Sequence, residues 1–259
     1  MHNPVIMEQG SQKFFVFAKG KTIPVVHPED IIPYLVAQEY HWAEGYSAYE
    51  LSYRWIEAGA IPVSVDSVLS QSPDLRGIRL INGFFEFQVG LNTRGHASQT
   101  DLMAFVDTEN GAALLAVEGK VKEGFGLSVG TWNKTLGKDD RIWSLCDLLG
   151  LFYDDLAYLN VKYQLVHRTA SAVLEAQRRG IHRAVMLVHS FDPSNSHFRD
   201  FHCFSDLFGS AVKEPDQISE FKTVGGVELS FAWVADPIRS VRRGLSSTNC
   251  MPGNNGVTG

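Results

Sequence analysis

Three residues could do chemistry together: Asp101, Glu118 and Lys120. Sixteen residues separate Asp101 from Glu118, and Glu118-Gly119-Lys120 ends a long apolar run. Two carboxylates that converge with an ammonium beside them suit a hard divalent cation, Mg²⁺ or Mn²⁺. Such an ion takes one or two carboxylates, keeps several waters and uses substrate phosphate oxygens for the rest. It lowers the pKa of a bound water and offsets charge on a phosphoryl group. Lys120 could orient that water or stabilise the developing negative charge. The chemistry this predicts is metal-dependent phosphodiester hydrolysis.

Convergence requires a hairpin. Asp101 opens a short apolar strand, Leu102–Val106. Asp107-Thr108-Glu109-Asn110-Gly111 is turn chemistry with a strong Asn-Gly hairpin signal, and Ala112–Val121 forms the return strand. Side chains alternate across a strand, so Glu118 and Lys120 share one face and Leu115, Val117 and Gly119 the other. Burying charges is costly unless they are paired or hold a metal. The bland alternative is a solvated edge strand, where lysine commonly blunts pairing. The continuous apolar run before Glu118 argues for an interior strand instead.

Other elements flank the hairpin. Lys13–Ala18 and Ile23–Val26 read as strands, and Pro28–Ala37 opens with helix first-turn chemistry. Tyr46–Ala58 is a helix with Ser47 and Glu50 in capping-box spacing and Gly59 at its end. Gly77–Leu91 is strand-like, with Phe85, Phe87, Val89 and Leu91 on one face and Glu86 and Gln88 on the other. Gly124–Gly137 reads as a loop able to lie over a ligand. Asp139–Ala157 is helical with a break near Gly150. Asn160 caps a helix to Arg179, in which Gln164, Arg168, Ser171 and Glu175 form a polar stripe. Ala184–His189 is a strand buried on both faces, Phe198–Val212 a helix and Val227–Val234 a last strand. His189 reads as a satisfied core or rim histidine. The order of elements predicts an α/β fold with a mixed central sheet flanked by helices.

Composition bounds the rest. The chain has 259 residues, a formal net charge of −6 and three scattered cysteines. The charge excludes a globally basic nucleic-acid binder, so such binding would need a local basic cleft. The cysteine spacing argues against a zinc site and a disulfide framework. No apolar run is long enough to cross a membrane, and MHNPVIMEQGSQ has no charged n-region followed by an apolar stretch, so a cytoplasmic setting is expected. We expect a strand/helix extension over 1–45, one α/β domain over 46–238 and a flexible tail over 239–259, disordered after about residue 245.

The set Asp101, Glu118, Gly119 and Lys120 on adjacent strands resembles the PD-(D/E)XK nuclease superfamily. A helix bearing Glu50 precedes these strands, and a helix and a buried strand follow them, which is similar to that superfamily's restriction-endonuclease-like αβββαβ core. The resemblance covers roughly 46–190. Thr100 stands where the pattern often has proline. It implies a Mg²⁺- or Mn²⁺-dependent DNA nuclease in which Asp101 and Glu118 ligate the metal, with the Gly119 carbonyl as a further ligand, and Lys120 positions the attacking water. Gln164 would match a glutamine that some members carry on the following helix, although the tyrosine expected four residues on is Arg168. Glu50 is a secondary candidate, weighed against a capping role or an i, i+4 pair with Arg54. DNA is the implied partner, and a homodimer is a family expectation. The alternative is a catalytically inactive nuclease-fold protein that binds nucleic acid or protein. A third reading uses Lys120 as a nucleophile.

Overall fold

The run from Ala113 to Lys120 leaves no side chain for solvent. All eight residues are buried along one strand, β5 (Gly111–Lys120). A strand buried on both faces needs a neighbour on each edge and a layer above and below. In the computed structural model of the chain, which describes residues 12–35, 42–136, 139–158 and 160–239, β5 has all four. Strand β4 (Ser98–Thr108) pairs with it antiparallel through the Glu109-Asn110 turn. Strand β6 (Arg183–Ser190) pairs with it parallel on the other edge.

The sheet grows outward from this pair. Strand β3 (Arg79–Val89) is antiparallel to β4. Strand β1 (Phe14–Ala18) lies parallel to β3, and β2 (Lys21–Pro24) pairs antiparallel with β1. Beyond β6, strand β9 (Val227–Ala235) runs parallel to it and carries the short antiparallel strands β7 (Gln217–Ile218) and β8 (Lys222–Val224). Among the described residues this is one mixed nine-stranded sheet of order β2-β1-β3-β4-β5-β6-β9-β7, with β8 also on β9.

Helices cover both faces, as expected of an α/β protein. On one face α1 (Ser47–Ala58) and α2 (Val63–Leu69) bury Leu51, Trp55 and Val65 against Leu115 and Val117. After α3 (Val129–Leu136), α4 (Asp139–Leu149) and α5 (Tyr153–Tyr158) comes the long helix α6 (Tyr163–Arg179). It packs Leu165, Val166 and Val173 on the opposite face, against Leu114, Ala116 and Met186. Helix α7 (Phe198–Asp206) adds Phe201 and Phe204 to that side. Gly180 ends α6 in a left-handed conformation, φ 65°, which glycine adopts without a Cβ penalty.

Several elements differ from their sequence expectation. The segment from Gly124 is not loop throughout. Ser128 Oγ accepts the N–H of Thr131 (3.3 Å), a serine cap that starts α3. Helix α6 starts at Tyr163 after a Lys162 cap, because Asn160 is left-handed with φ 56°. The polar stripe of α6 lies largely inside: Arg168, Ser171 and Glu175 are buried, and Glu175 takes the Nε–H of Arg179 at 2.8 Å. Helix α7 stops at Asp206, and Ser205 Oγ accepts the N–H of Val212 (3.1 Å) in the turn that follows. Asp101 lies inside β4 rather than at its start, since pairing with β3 extends to Ser98. In β3 the alternation breaks at Glu86, whose φ is 53°. Phe85 therefore packs on the α1 side and Phe87 and Val89 on the α6 side, not all on one face. The expected helix over 28–37 is a 3₁₀ segment, Pro28–Tyr34, within the described part. The expected disorder after residue 245 lies outside the described residues.

Candidate active site

The ladder between β4 and β5 runs from Thr108–Gly111 to Leu102–Val117. Beyond that pair the strands part. Asp101 Oδ2 there accepts the backbone N–H of Gly119 (2.9 Å), closing the gap with a side chain. The next carbonyl along β5, that of Lys120, accepts from Phe191 on the β6 side (2.7 Å). Successive strand residues direct their backbone groups to alternate neighbours, so the Gly119 carbonyl faces the opening beside Asp101.

Glu118 is the hub. Its Oε1 accepts from Lys120 Nζ (2.8 Å) and Gln164 Nε2 (2.6 Å), and its Oε2 accepts from Arg168 Nε (2.6 Å). Arg168 reaches further. Its Nη1 donates to Ser98 Oγ (3.0 Å), and its Nη2 lies 3.8 Å from Asp101 Oδ1. Ser98 Oγ in turn meets His167 Nδ1 at 2.8 Å. Glu118 is 2% exposed and Lys120 4%, so this is a buried network. It forms because Gln164 and Arg168 are four residues apart on α6 and face the same patch of sheet.

Glu86 completes the group. Its position on β3 is opposite Asp101, between the pairs Phe85–Leu102 and Phe87–Thr100, and Gln99 Nε2 donates to its Oε2. A non-glycine residue at positive φ inside a strand costs conformational energy. Glu86, Asp101, Lys120 and Arg168 line a cavity of about 990 Å³. Trp132 and Tyr163 form an aromatic wall, stacked 3.9 Å apart between ring centres. Arg141 Nε donates to Tyr163 Oη (2.6 Å) and holds that ring in place.

The electrostatics are uneven. Burial pushes the Glu118 carboxyl up, but Arg168 and Lys120 outweigh it and hold it at about 2. Burial and the neighbouring charge of Glu118 raise Asp101 to about 7, against the pull of Arg168 and Lys120. Burial and Asp101 raise Glu86 to about 8. Burial, then Arg168, keeps His167 well below its ordinary value, so it is a neutral neighbour. Three carboxylates thus share two cations, and two of the three resist ionising.

Among the described residues no group of three or more His, Cys, Asp or Glu side chains is placed to hold a metal ion. The donor set is smaller and still fits a Mg²⁺ or Mn²⁺ ion. Among the described residues, Asp101 Oδ1 has no cation nearer than 3.8 Å. Glu118 Oε2 accepts one hydrogen bond and has capacity for a second. The Gly119 carbonyl faces the same opening. Two carboxylates and a carbonyl leave room for waters and phosphate oxygens.

Asp101, Glu118, Gly119, Lys120 and Gln164 therefore come together. Glu50 does not. Its Oε1 accepts from the Gly45 N–H and its Oε2 from the Arg239 N–H, both at 2.8 Å. It borders a separate cavity of about 630 Å³ with Arg54 and Asp236. The reason is helical phase: Ser47 and Leu51 point toward Gly119, and Glu50 points elsewhere. Nor does Ser47 cap α1; Tyr46 holds that position without a side-chain bond. Sequence reasoning missed Glu86 and Arg168 as site members. Arg168 was readable from its i, i+4 spacing to Gln164. Glu86 stood out only as an acid among phenylalanines, and nothing in the sequence marked its backbone.

No protein with a curated description and no solved structure matches the chain. Residues 24–238 match the profile of DUF6946, a domain of unknown function, and the chain belongs to that family.

Proposed function

We propose that this protein hydrolyses phosphodiester bonds in DNA with a divalent metal ion, in the manner of the PD-(D/E)XK nucleases. The observation that carries the reading is the meeting of Asp101, Glu118 and Lys120 where β4 and β5 part. The chain order supports it as well. Helix α1, the antiparallel strands β3, β4 and β5, helix α6 and the parallel strand β6 follow one another as in a restriction-endonuclease-like αβββαβ core.

Asp101, Glu118 and the Gly119 carbonyl would hold Mg²⁺ or Mn²⁺. The ion would activate a water and offset charge on the phosphate. Lys120 has three N–H donors and spends one on Glu118 at 2.8 Å. The others remain for a water or a phosphoryl oxygen, and stabilise negative charge as it develops. Gln164 fixes Glu118 through its 2.6 Å bond. Trp132 and Tyr163 shield one side of the cavity from water.

One observation favours a second reading, a nuclease-fold protein that binds nucleic acid or protein without cleaving it. Arg168 already gives Glu118 a cationic partner at 2.6 Å. Lys120→Ala separates the two. Loss of Mg²⁺-dependent cleavage of duplex DNA, with an unchanged circular dichroism spectrum, is expected for a nuclease. Cleavage at the wild-type rate in Lys120→Ala would refute the assignment, and binding of DNA without cleavage by the wild type would favour the second reading.

A further inference from the structure

We propose that Arg168 is a built-in competitor for the divalent cation: its guanidinium engages the two carboxylates that the ion would use, and so sets how tightly the site loads. The inference rests on the metal-dependent reading above.

The case is geometric. The cation centre of Arg168 lies between the two acids, with Nε 2.6 Å from Glu118 Oε2 and Nη2 3.8 Å from Asp101 Oδ1. Glu118 Oε1 is saturated by Lys120 and Gln164, so Oε2 is the oxygen left for an ion, and Arg168 holds it. A guanidinium is a rigid planar fork that suits two carboxylates at once, and a buried one is not easily moved. Yet Arg168 also lines the cavity, and Ser98 Oγ anchors its Nη1 at 3.0 Å independently of either acid. It can release Glu118 and stay tethered. A phosphodiester entering the cavity would offer it a replacement anion.

Competition for shared ligands is a coupling between two sites and is reciprocal. Whatever Arg168 gains from Glu118 and Asp101 is weakened by a second cation on the same carboxylates, so it opposes the incoming ion. Removing the guanidinium leaves Glu118 still partnered by Lys120 and Gln164. The variant therefore does not strand a lone buried charge at the hub.

The experiment is calorimetric titration of the full chain with Mn²⁺ alone, on wild type and Arg168→Gln, with melting curves for both. Binding in the variant that is tighter by about tenfold, within the usual range for such couplings, is the expected result. Wild-type binding with equal or weaker affinity in Arg168→Gln overturns this inference and leaves the nuclease reading standing. No binding by either protein at millimolar Mn²⁺ overturns both. If Arg168→Gln does not fold, Arg168→Lys takes its place. One ammonium cannot reach both carboxylates together, so a smaller tightening is expected, and an affinity no better than wild type overturns the competitor role. A melting temperature that falls with no gain in affinity marks Arg168 as purely structural and has the same consequence.

Discussion

Two buried polar clusters sit back to back on opposite faces of the sheet. Gly119 of β5 is level with His189 of β6, and the residues beside them point to opposite sides. On the α6 side lies the group around Glu118. On the α1 side, His189 Nδ1 accepts from Trp55 Nε1 (3.2 Å) and His189 Nε2 donates to Asp236 Oδ2 (3.2 Å). Asp236 also takes Ser64 Oγ–H (2.6 Å) and the Arg54 guanidinium (3.2 Å). In the second cluster each named donor meets an acceptor, and His189 is completely buried. In the first, three acids crowd two bases beside an open cavity. A satisfied network rigidifies a fold. Both clusters border a cavity, so the difference lies in the surplus of acids, which makes the first a candidate site on physical grounds.

The contrast can be tested by mutation, and the largest effect should come from the hub. Glu118→Ala strips Arg168 and Lys120 of their shared partner, and breaking a buried pair in this way costs about 3–5 kcal/mol. The urea midpoint should fall accordingly. Glu118→Gln keeps the shape and should lose metal binding with a smaller fall. His189→Ala comes next. It leaves Trp55 Nε1 without its acceptor and Asp236 short of a donor, at a cost of about 1–3 kcal/mol. Its Mn²⁺ affinity should match wild type; a changed affinity would mean that the two faces are coupled.

The smallest effect is the most discriminating, because the raised acids of the first cluster and the histidine of the second should respond to pH with opposite sign. Asp101 and Glu86 are raised to about 7 and about 8. Their contribution to stability is greatest below the ordinary carboxylate range, near 4, and is lost as pH rises through 7 and 8. Burial lowers His189 from 6.5 against the hydrogen bond to Asp236. Its contribution is present above 6.5 and is lost as pH falls. Melting temperature against pH should therefore decline on both sides, by roughly 2–4 °C for each kcal/mol in a chain of this size. Asp101→Asn should flatten the alkaline arm alone, and His189→Gln the acid arm alone. An alkaline arm that persists unchanged in Asp101→Asn would show that this acid ionises freely.

Much of the sheet was legible because its signals are local. The Asn-Gly turn and the long apolar run announced β4 and β5, and Gly59, Gly150 and Gly180 marked helix ends. Glu118 and Lys120 were readable as a pair because strand parity puts them on one face, and Asp101 joined them because the Asn-Gly turn folds its strand back beside theirs. Glu50 was misassigned because helical phase cannot be read without knowing which residue meets the sheet, and here Leu51 does. Arg168 was visible as the neighbour of Gln164 on a polar stripe. Its burial was not, since only the tertiary meeting of α6 with Glu118 makes a charged stripe an interior one. Glu86 depended on a backbone reversal that no residue type announces.

That reversal has a consequence for how this chain can change. At φ 53° a glycine would rest at ease, and a glutamate does not. Substitution by glycine would relax β3 and make the protein hardier, yet it would remove an acid from the cavity wall. Backbone ease and the acid lining of the cavity are thus set against each other at one position.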